Sequence, residues 1–501
     1  MSTEITRRRF LGAAVAGTVW VALAGTLGCE ATKISRATAS SAGAGHKWSF
    51  RSRPDLSPPV VEVTTQAHDT APGYIFVGPK KGGTGEGGPM IVDNHGQPVW
   101  FHPMRVADLH AMDFKVQTYR GRPVITWVTW DEGEYVILDD SYREITRFRA
   151  GNGYLGDHHE FLITPQDTAL ITIYSGERLD LSPFGGPKDG RVAQGIVQEL
   201  DIESGEVLFE WHSLDHVGID ETYAKVDQIS GPDLDYFHLN SIDVDLDGNL
   251  IVSARSTFAV YKIDRETGEI IWRLGGKKSD FEMGPGTRFA YQHDARRQPD
   301  GTITIFDNGT TIFEDGVPKA IEESRGIRLE LDEEQMTAVL VRAYTHPDKQ
   351  FAHAGGNMQG LPNGNVFIGW GRAPVFSEFS QDGRLLFSAS FPSDFSPTDA
   401  SYRAFRFPWS GQPDEDPAVA AETGPDDEVI LYASWNGATE VTSWEVLAGP
   451  GPDGLEPVAS VPRKGFETEI TVESTEAYVG VRAKDASSKV LGTSKAVKPE
   501  S

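Results

Sequence analysis

Apolar and polar residues alternate in short runs along this chain. Six stretches repeat one arrangement: an alternating run, a tight polar turn, then a second alternating run. Alternation with period two marks strands with one buried face, and Asp-Gly or Asn-Gly turns join such strands into hairpins. The clearest copy is FHLNSIDVDLDGNLIVSARSTFAVYKIDRETGEIIWRL, from Phe237 to Leu274, which reads as four strands with an Asp247-Gly248 turn and an ETGE turn. A second copy starts at Tyr291 with YQHDARRQPDGTITIFDNG and finishes with IRLELDEEQMTAVLVRAYTH. A third runs HAGGNMQGLPNGNVFIGWG from His353 into FSEFSQDGRLLFSAS, and a fourth runs HEFLITPQDTALITIYSG from His159 to IVQELDIESGEVLFEWH. Two weaker copies open the array, GYIFVGP with MIVDNHGQPVWFH, and MDFKVQTYRGRPVITWVTW with EYVILDDSYREITRF.

Read as four-stranded blades, the copies span approximately 73–105, 107–150, 157–212, 236–275, 290–345 and 351–390. That predicts an all-β fold, a six-bladed β-propeller over residues 49–408. After Pro408 the texture changes. Residues 409–428, rich in Pro, Asp, Glu, Ala and Gly, read as a linker. Residues 429–501 alternate again and predict a small immunoglobulin or fibronectin III-like β-sandwich with Trp435 and Trp444 as core anchors.

Composition narrows the partners. Asp plus Glu number 73 against 46 Lys plus Arg, a formal charge of −27, which repels phosphate backbones and excludes nucleic acid as the expected partner. The single cysteine, Cys29, permits no intramolecular disulfide and no cysteine metal cage. The amino terminus, TRRRFLGAAVAGTVWVALAGTLGC, pairs arginines with a short, mildly apolar run and reads as a twin-arginine export signal over residues 1–29. Cys29 stands where a lipid-attachment cysteine would stand, and simple cleavage near Ala31 or Ala37 is the alternative. Residues 30–48 read as a flexible tether. The expected location is extracellular, or on the outer face of the cytoplasmic membrane.

Four copies carry a histidine roughly eight to eleven residues ahead of the turn: His159, His238, His293 and His353. First strands of blades line a propeller's central channel, so the four imidazoles are expected to converge there. Laying Gly248 on Gly301 and Gly364 places Arg255 opposite Asn308 and Gly371, near the same channel mouth. A single channel histidine is most simply a satisfied polar residue. Four with an arginine alongside repel one another unless an anion is expected. Converging imidazoles also suit a divalent metal, but a permanent cation beside them argues for a sulfate or phosphate ester instead. Neutral imidazole is a competent nucleophile, which makes His293 the candidate for covalent transfer. His238 and Arg255 would hold the equatorial oxygens, His159 would share that task or protonate the leaving oxygen, and Asn240 would add a neutral donor. Asn308 and His353 complete the substrate-binding candidates, with packing the alternative for His353. No GxxxxGK phosphate loop occurs, so neither a nucleotide nor another cofactor is expected.

FHLNSIDVDLDGNLIVSAR, AYQHDARRQPDGTITIFDNG and GNMQGLPNGNVFIGWG resemble the bacterial and fungal arylsulfotransferase family, aryl-sulfate sulfotransferases that work without the nucleotide sulfate donor. The likeness spans roughly residues 70–395 and is nearest to the actinobacterial and fungal branch. It implies a six-bladed enzyme that moves a sulfuryl group from an aryl sulfate ester to a phenolic acceptor through a sulfohistidine, here in a chain whose amino terminus reads as an export signal. By motif, the sulfated histidine falls on His293, with His238, Arg255 and His159 assisting; His158 is adjacent, and an offset of one would exchange it with His159. Enterobacterial members carry their β-sandwich before the propeller and have a disulfide, and this chain has neither feature. Two rivals stand beside the enzyme reading: a non-catalytic surface propeller that binds a ligand or partner, and a multi-histidine metal-dependent enzyme.

Overall fold

The computed structural model describes residues 35–39, 47–80, 86–104, 110–226, 233–309, 311–314, 317–320, 323–392 and 400–501. The stretch read above as an export signal, with Cys29, lies outside them. The described residues are almost wholly β, and the helical segments among them are single turns at Ser182–Phe184, Ser213–His216 and Ile219–Glu221.

Six sheets of four or five strands hold residues 62–407. Their first strands are Ala111–Tyr119, Gly156–Ile163, Leu239–Val244, His293–Arg297, Asn357–Gly360 and Ala404–Phe407. Each first strand is a neighbour of the next, and the last is a neighbour of the first. The sheet of Leu239–Val244, Leu250–Ala254, Ala259–Ile263 and Ile270–Gly275 follows sequence order, as the repeat predicts. Its second and third strands are buried on both faces, packed against neighbouring sheets by residues such as Trp211, Phe237 and Tyr261. Its turn closes with the Gly248 N–H donating to the Asp245 carbonyl at 2.9 Å, at a φ of 89° that suits glycine. The same bond recurs from Gly301 to Gln298 and from Gly364 to Leu361, both 2.9 Å, so the turn signal in the sequence has one physical meaning in three sheets.

The weak 73–105 copy is not self-contained. Its strands Tyr74–Val77, Met90–Val92 and Pro98–Phe101 take their first strand from Ala404–Phe407, in register from Ala404 opposite Val77 to Phe407 opposite Tyr74. In turn Glu62–Thr65 adds to the outer edge of the sheet made by residues 357–390. Segments that precede and follow the repeats thus complete these two sheets. The closing strand carries no hairpin turn signal, which is why the repeat could not reveal it.

Two further sheets share one core around Leu431, Trp435, Trp444, Val446, Ile470 and Val481. Two boundary expectations are corrected here. Ala418–Thr423, inside the expected linker, is a strand paired with Glu428–Ser434, and Ser35–Ala39, inside the expected tether, pairs with Glu467–Glu473. Small side chains make both unremarkable by composition, yet an exposed sheet edge supplies the hydrogen bonds that order them. The two regions are firmly joined. Glu467 accepts from the backbone of Ser52 at 2.7 Å and of Arg51 at 3.2 Å, Asn436 both accepts from and donates to Phe101, and Phe50 packs on Phe466.

Candidate active site

The first strands are irregular where the chemistry-bearing residues sit. Pairing with the second strand shifts between Gly156 and Phe161, between Leu239 and Ser241, between His293 and Arg296, and between Met112 and Lys115. Such bulges re-aim side chains that a regular pleat would send to alternate faces. His238 and Asp294, both at φ 55°, and Tyr291 at 52° occupy the left-handed region, which costs a non-glycine residue about 1 kcal/mol or more.

Three of the four predicted histidines meet. Ring centroids of His159 and His238 lie 5.0 Å apart, and those of His238 and His293 lie 6.4 Å apart. His158 is also present, 4.2 Å from His159, but it stacks on Trp130 at 3.7 Å, so His159 is the one that faces His238. Tyr402 stands over the group edge-on, 5.5 Å from His159 and 6.2 Å from His293. Each imidazole has its own orienting partner. The Asp157 carboxylate meets His159 Nδ1 at 2.6 Å, Asp235 meets His238 Nδ1, and Asn308 Oδ1 meets His293 Nδ1 at 2.8 Å.

The last contact fixes a tautomer. The Asn308 amide nitrogen donates to the carbonyls of Ala352 at 2.7 Å and Gly355 at 2.9 Å, so the oxygen must face His293 and Nδ1 must carry the proton. His293 Nδ1 also reaches the Tyr291 carbonyl at 3.0 Å. Nε2 is then a lone pair, and the Gly355 N–H approaches it at 3.2 Å. Only glycine allows that approach: a Cβ at position 355 would lie 2.8 Å from the Tyr402 carbonyl oxygen.

Burial is the main cause that lowers His293 well below the ordinary imidazole range, with Arg255 and His238 adding to it. His238 is lowered by burial too, although Asp235 opposes the shift. For Asp157 burial acts upward, but His159 and His158 outweigh it and hold the carboxyl below its usual range. Arg255 hangs from the same sheet, its backbone N–H donating to the His238 carbonyl at 2.9 Å and its guanidinium 4.9 Å over the Tyr291 ring. Among the described residues no carboxylate pairs with it, and its buried Nε has no partner. The cation is therefore held by an aromatic face with its donors free.

A few residues further along the same strands the chemistry changes. Lys115 bonds Asp113 and Glu160, each at 2.7 Å, and Arg403 bonds Asp113 at 2.7 Å and Glu160 at 3.1 Å, while Arg296 binds Glu160 and Asp294. Beyond this ion cluster the strands end around a cavity of about 660 Å³ lined by Gln117, Asp243, Gln298 and Gln359 among others. Asp294, beside the candidate nucleophile in sequence, belongs to the ion cluster and also accepts from the Met358 N–H at 3.0 Å.

Of the remaining predicted residues, Asn240 sits fully buried with its amide donating to the Gln292 carbonyl at 2.7 Å, a stitch between two first strands. Asn308 orients His293, with both polar ends engaged inside the protein. His353 is not in ring contact with the other three; its Nε2 lies 3.5 Å from Arg372 Nη1. Residues that sequence reasoning missed are Asp157, Asp235, Tyr402 and Arg372. Asp157, two residues before His159, and Asp235, three before His238, differ in spacing, so no repeat exposed them.

These features define an all-β protein in which three histidines, individually oriented, share the end of a ring of strands with an arginine that, among the described residues, no carboxylate pairs. The arylsulfotransferase (ASST) family profile matches residues 115–392, more than half of the sequence, and the chain belongs to that family. No curated protein matches it in sequence. Among solved structures, it is similar to a protein of unknown function from Bacteroides caccae, at 14% identity over 67% of this chain and 98% of that one, with a TM-score of 0.41. Virginiamycin B lyase from Staphylococcus aureus follows at 7% identity over 82% and 99%, TM-score 0.35. Both likenesses are remote.

Proposed function

We propose that the protein transfers a sulfuryl group from an aryl sulfate ester to a phenol through a sulfohistidine at His293. The observation that carries this reading is the fixed tautomer: Nδ1 is occupied by Asn308 and Tyr291, which leaves the Nε2 lone pair as the reactive position. A histidine kept neutral by burial is nucleophilic across the physiological range. In the first half-reaction Nε2 attacks sulfur, the N–S bond forms, and the S–O bond to the aryl oxygen breaks. The phenolate leaves with the electron pair and takes a proton from His159, whose imidazolium the Asp157 carboxylate stabilises. In the second half-reaction an acceptor phenol attacks the same sulfur, the N–S bond breaks, and the phenol proton returns to His159. Arg255 offsets charge on the sulfuryl oxygens, and the Gly355 N–H, displaced from Nε2 by the new bond, turns to one of them.

The finer architecture follows the same reading: the six sheets form a six-bladed propeller, and the two carboxy-terminal sheets an immunoglobulin or fibronectin III-like sandwich. Export by the twin-arginine route, with Cys29 as an anchor point, would place the site outside the cytoplasm. Incubation with para-nitrophenyl sulfate and no acceptor should add one sulfuryl group by intact mass, and His293→Ala should abolish both adduct and phenol release. Normal turnover by that variant would exclude His293 as the nucleophile.

A metal reading draws on one observation, that Asp157, His158 and His159 offer ligand atoms all within 4.8 Å of one another. Against it, the Asp157 carboxylate already meets both imidazoles, at 3.3 and 2.6 Å. Stoichiometric divalent metal in the purified protein, with activity lost on its removal and restored on its return, would favour the metal enzyme.

A further inference from the structure

The loop that lends Gly355 to His293 also carries His353, and Arg372 is pinned to that loop by its own N–H, which donates to the Ala354 carbonyl at 3.0 Å. The Arg372 guanidinium lies 3.5 Å from His353 Nε2 and, among the described residues, meets no carboxylate. Half-buried arginines normally find an acid, and this chain has 73 acidic residues against 46 basic ones to supply it. Burial and the nearby Arg255 charge both lower Arg372, so the two guanidiniums stand close enough to repel. His353 is lowered by burial and then by Arg372 and Arg255, which keeps it an acceptor for Arg372. An aryl sulfate ester carries one negative charge. Arg255 faces that charge at the transfer site, and Arg372, with no carboxylate of its own among the described residues, is left to meet a further one.

We propose that Arg372, oriented by His353, forms a second anion subsite beside the transfer site, one that receives a carboxylate or a second sulfate on the aromatic substrate. The inference rests on the sulfuryl-transfer reading for its substrate class, and it extends that reading from simple phenols to aromatic rings that carry a further negative charge. A single cation meeting a single anion at a partly desolvated site should discriminate by about tenfold or more.

Two measurements separate this subsite from the transfer reaction. Binding of the unreactive para-sulfobenzoate, benzene-para-disulfonate and benzenesulfonate is compared by calorimetry, which needs no turnover. The wild type should bind either dianion at least tenfold more tightly than benzenesulfonate. Arg372→Met should equalise the three, and Arg372→Lys should keep part of the preference, with circular dichroism confirming that both variants fold. A wild type that binds all three alike, or an Arg372→Met protein that keeps the full preference, overturns the proposal. In parallel, the ratio of kcat/KM for para-carboxyphenyl sulfate over para-nitrophenyl sulfate should fall by about tenfold in Arg372→Met. Dianion preference without any sulfuryl transfer would retain the subsite and refute the function; transfer without preference would do the reverse.

Discussion

Two tiers of charge lie along the same six strands, and they are built by opposite rules. At one end His159, His238, His293, Arg255 and Arg372 gather basic groups, and among the described residues neither arginine has an acidic partner. A few residues deeper, Lys115, Arg296 and Arg403 are matched by Asp113, Glu160 and Asp294. Burial alone would raise Glu160, but Arg296, Arg403 and Lys115 together hold it well below the usual carboxylate range. A matched buried cluster stabilises the fold only as a set, whereas unmatched cations tax the fold and serve a ligand. Counting arginines cannot separate the tiers, because arginine serves in both.

That contrast can be broken at its lower tier first, where the largest stability effect is expected. Arg403 is fully buried and bridges Asp113, Glu160 and the Asn240 carbonyl, so Arg403→Met should cost about 3–5 kcal/mol by leaving two carboxylates short of a cation. Chemical denaturation would read this, and a loss under about 1 kcal/mol would show that the cluster relaxes freely. In the upper tier Arg255→Ala should slow adduct formation by about two orders of magnitude and leave the melting temperature unchanged or raised, since it removes a repelling charge. Equal damage to stability and rate would erase the distinction between the tiers.

Asp235→Asn sharpens the comparison at a smaller scale. It should reduce turnover by about tenfold through loss of the His238 orientation, while His293 still forms its adduct. Acid gives the mildest test. His238 and His293 are both lowered in the folded protein, so as pH falls the unfolded chain binds protons first. Their contribution to stability is complete above about pH 6.5 and declines as pH falls from there toward the lowered values, by at most about 1.4 kcal/mol per pH unit for each group. Unfolding free energies of wild type and His293→Asn, taken at several pH values across that window, should diverge most at the alkaline end. Parallel profiles would mean that His293 titrates normally.

Much of this site was legible because repetition did the aligning. A histidine at a recurring distance from a glycine turn needs no neighbour to be noticed, and His159, His238 and His293 do come together. Their orienting groups were hidden for a physical reason. Asp157 lies in the bulged start of its strand and Asp235 in the lead-in to its own, where spacing does not follow the repeat. Asn308 was visible as a position, yet its task reads only from the carbonyls of Ala352 and Gly355, which belong to the next copy. Tyr402 and Arg403 immediately precede the strand that completes the first sheet, 73–105, and no hairpin announces them.

The same closing strand sets a clock on the molecule. Asp113 and its partner Arg403 are 290 residues apart, and at about 5–20 residues per second a ribosome takes roughly 15 seconds to one minute to deliver the second after the first. Through that interval Asp113 and Glu160 have no Arg403, the first sheet lacks its inner strand, and the histidines lack Tyr402. The upper tier is therefore incomplete until residues 402–407 have been made, and a chain cut short before residue 400 leaves Asp113 and Glu160 without Arg403 in its own interior.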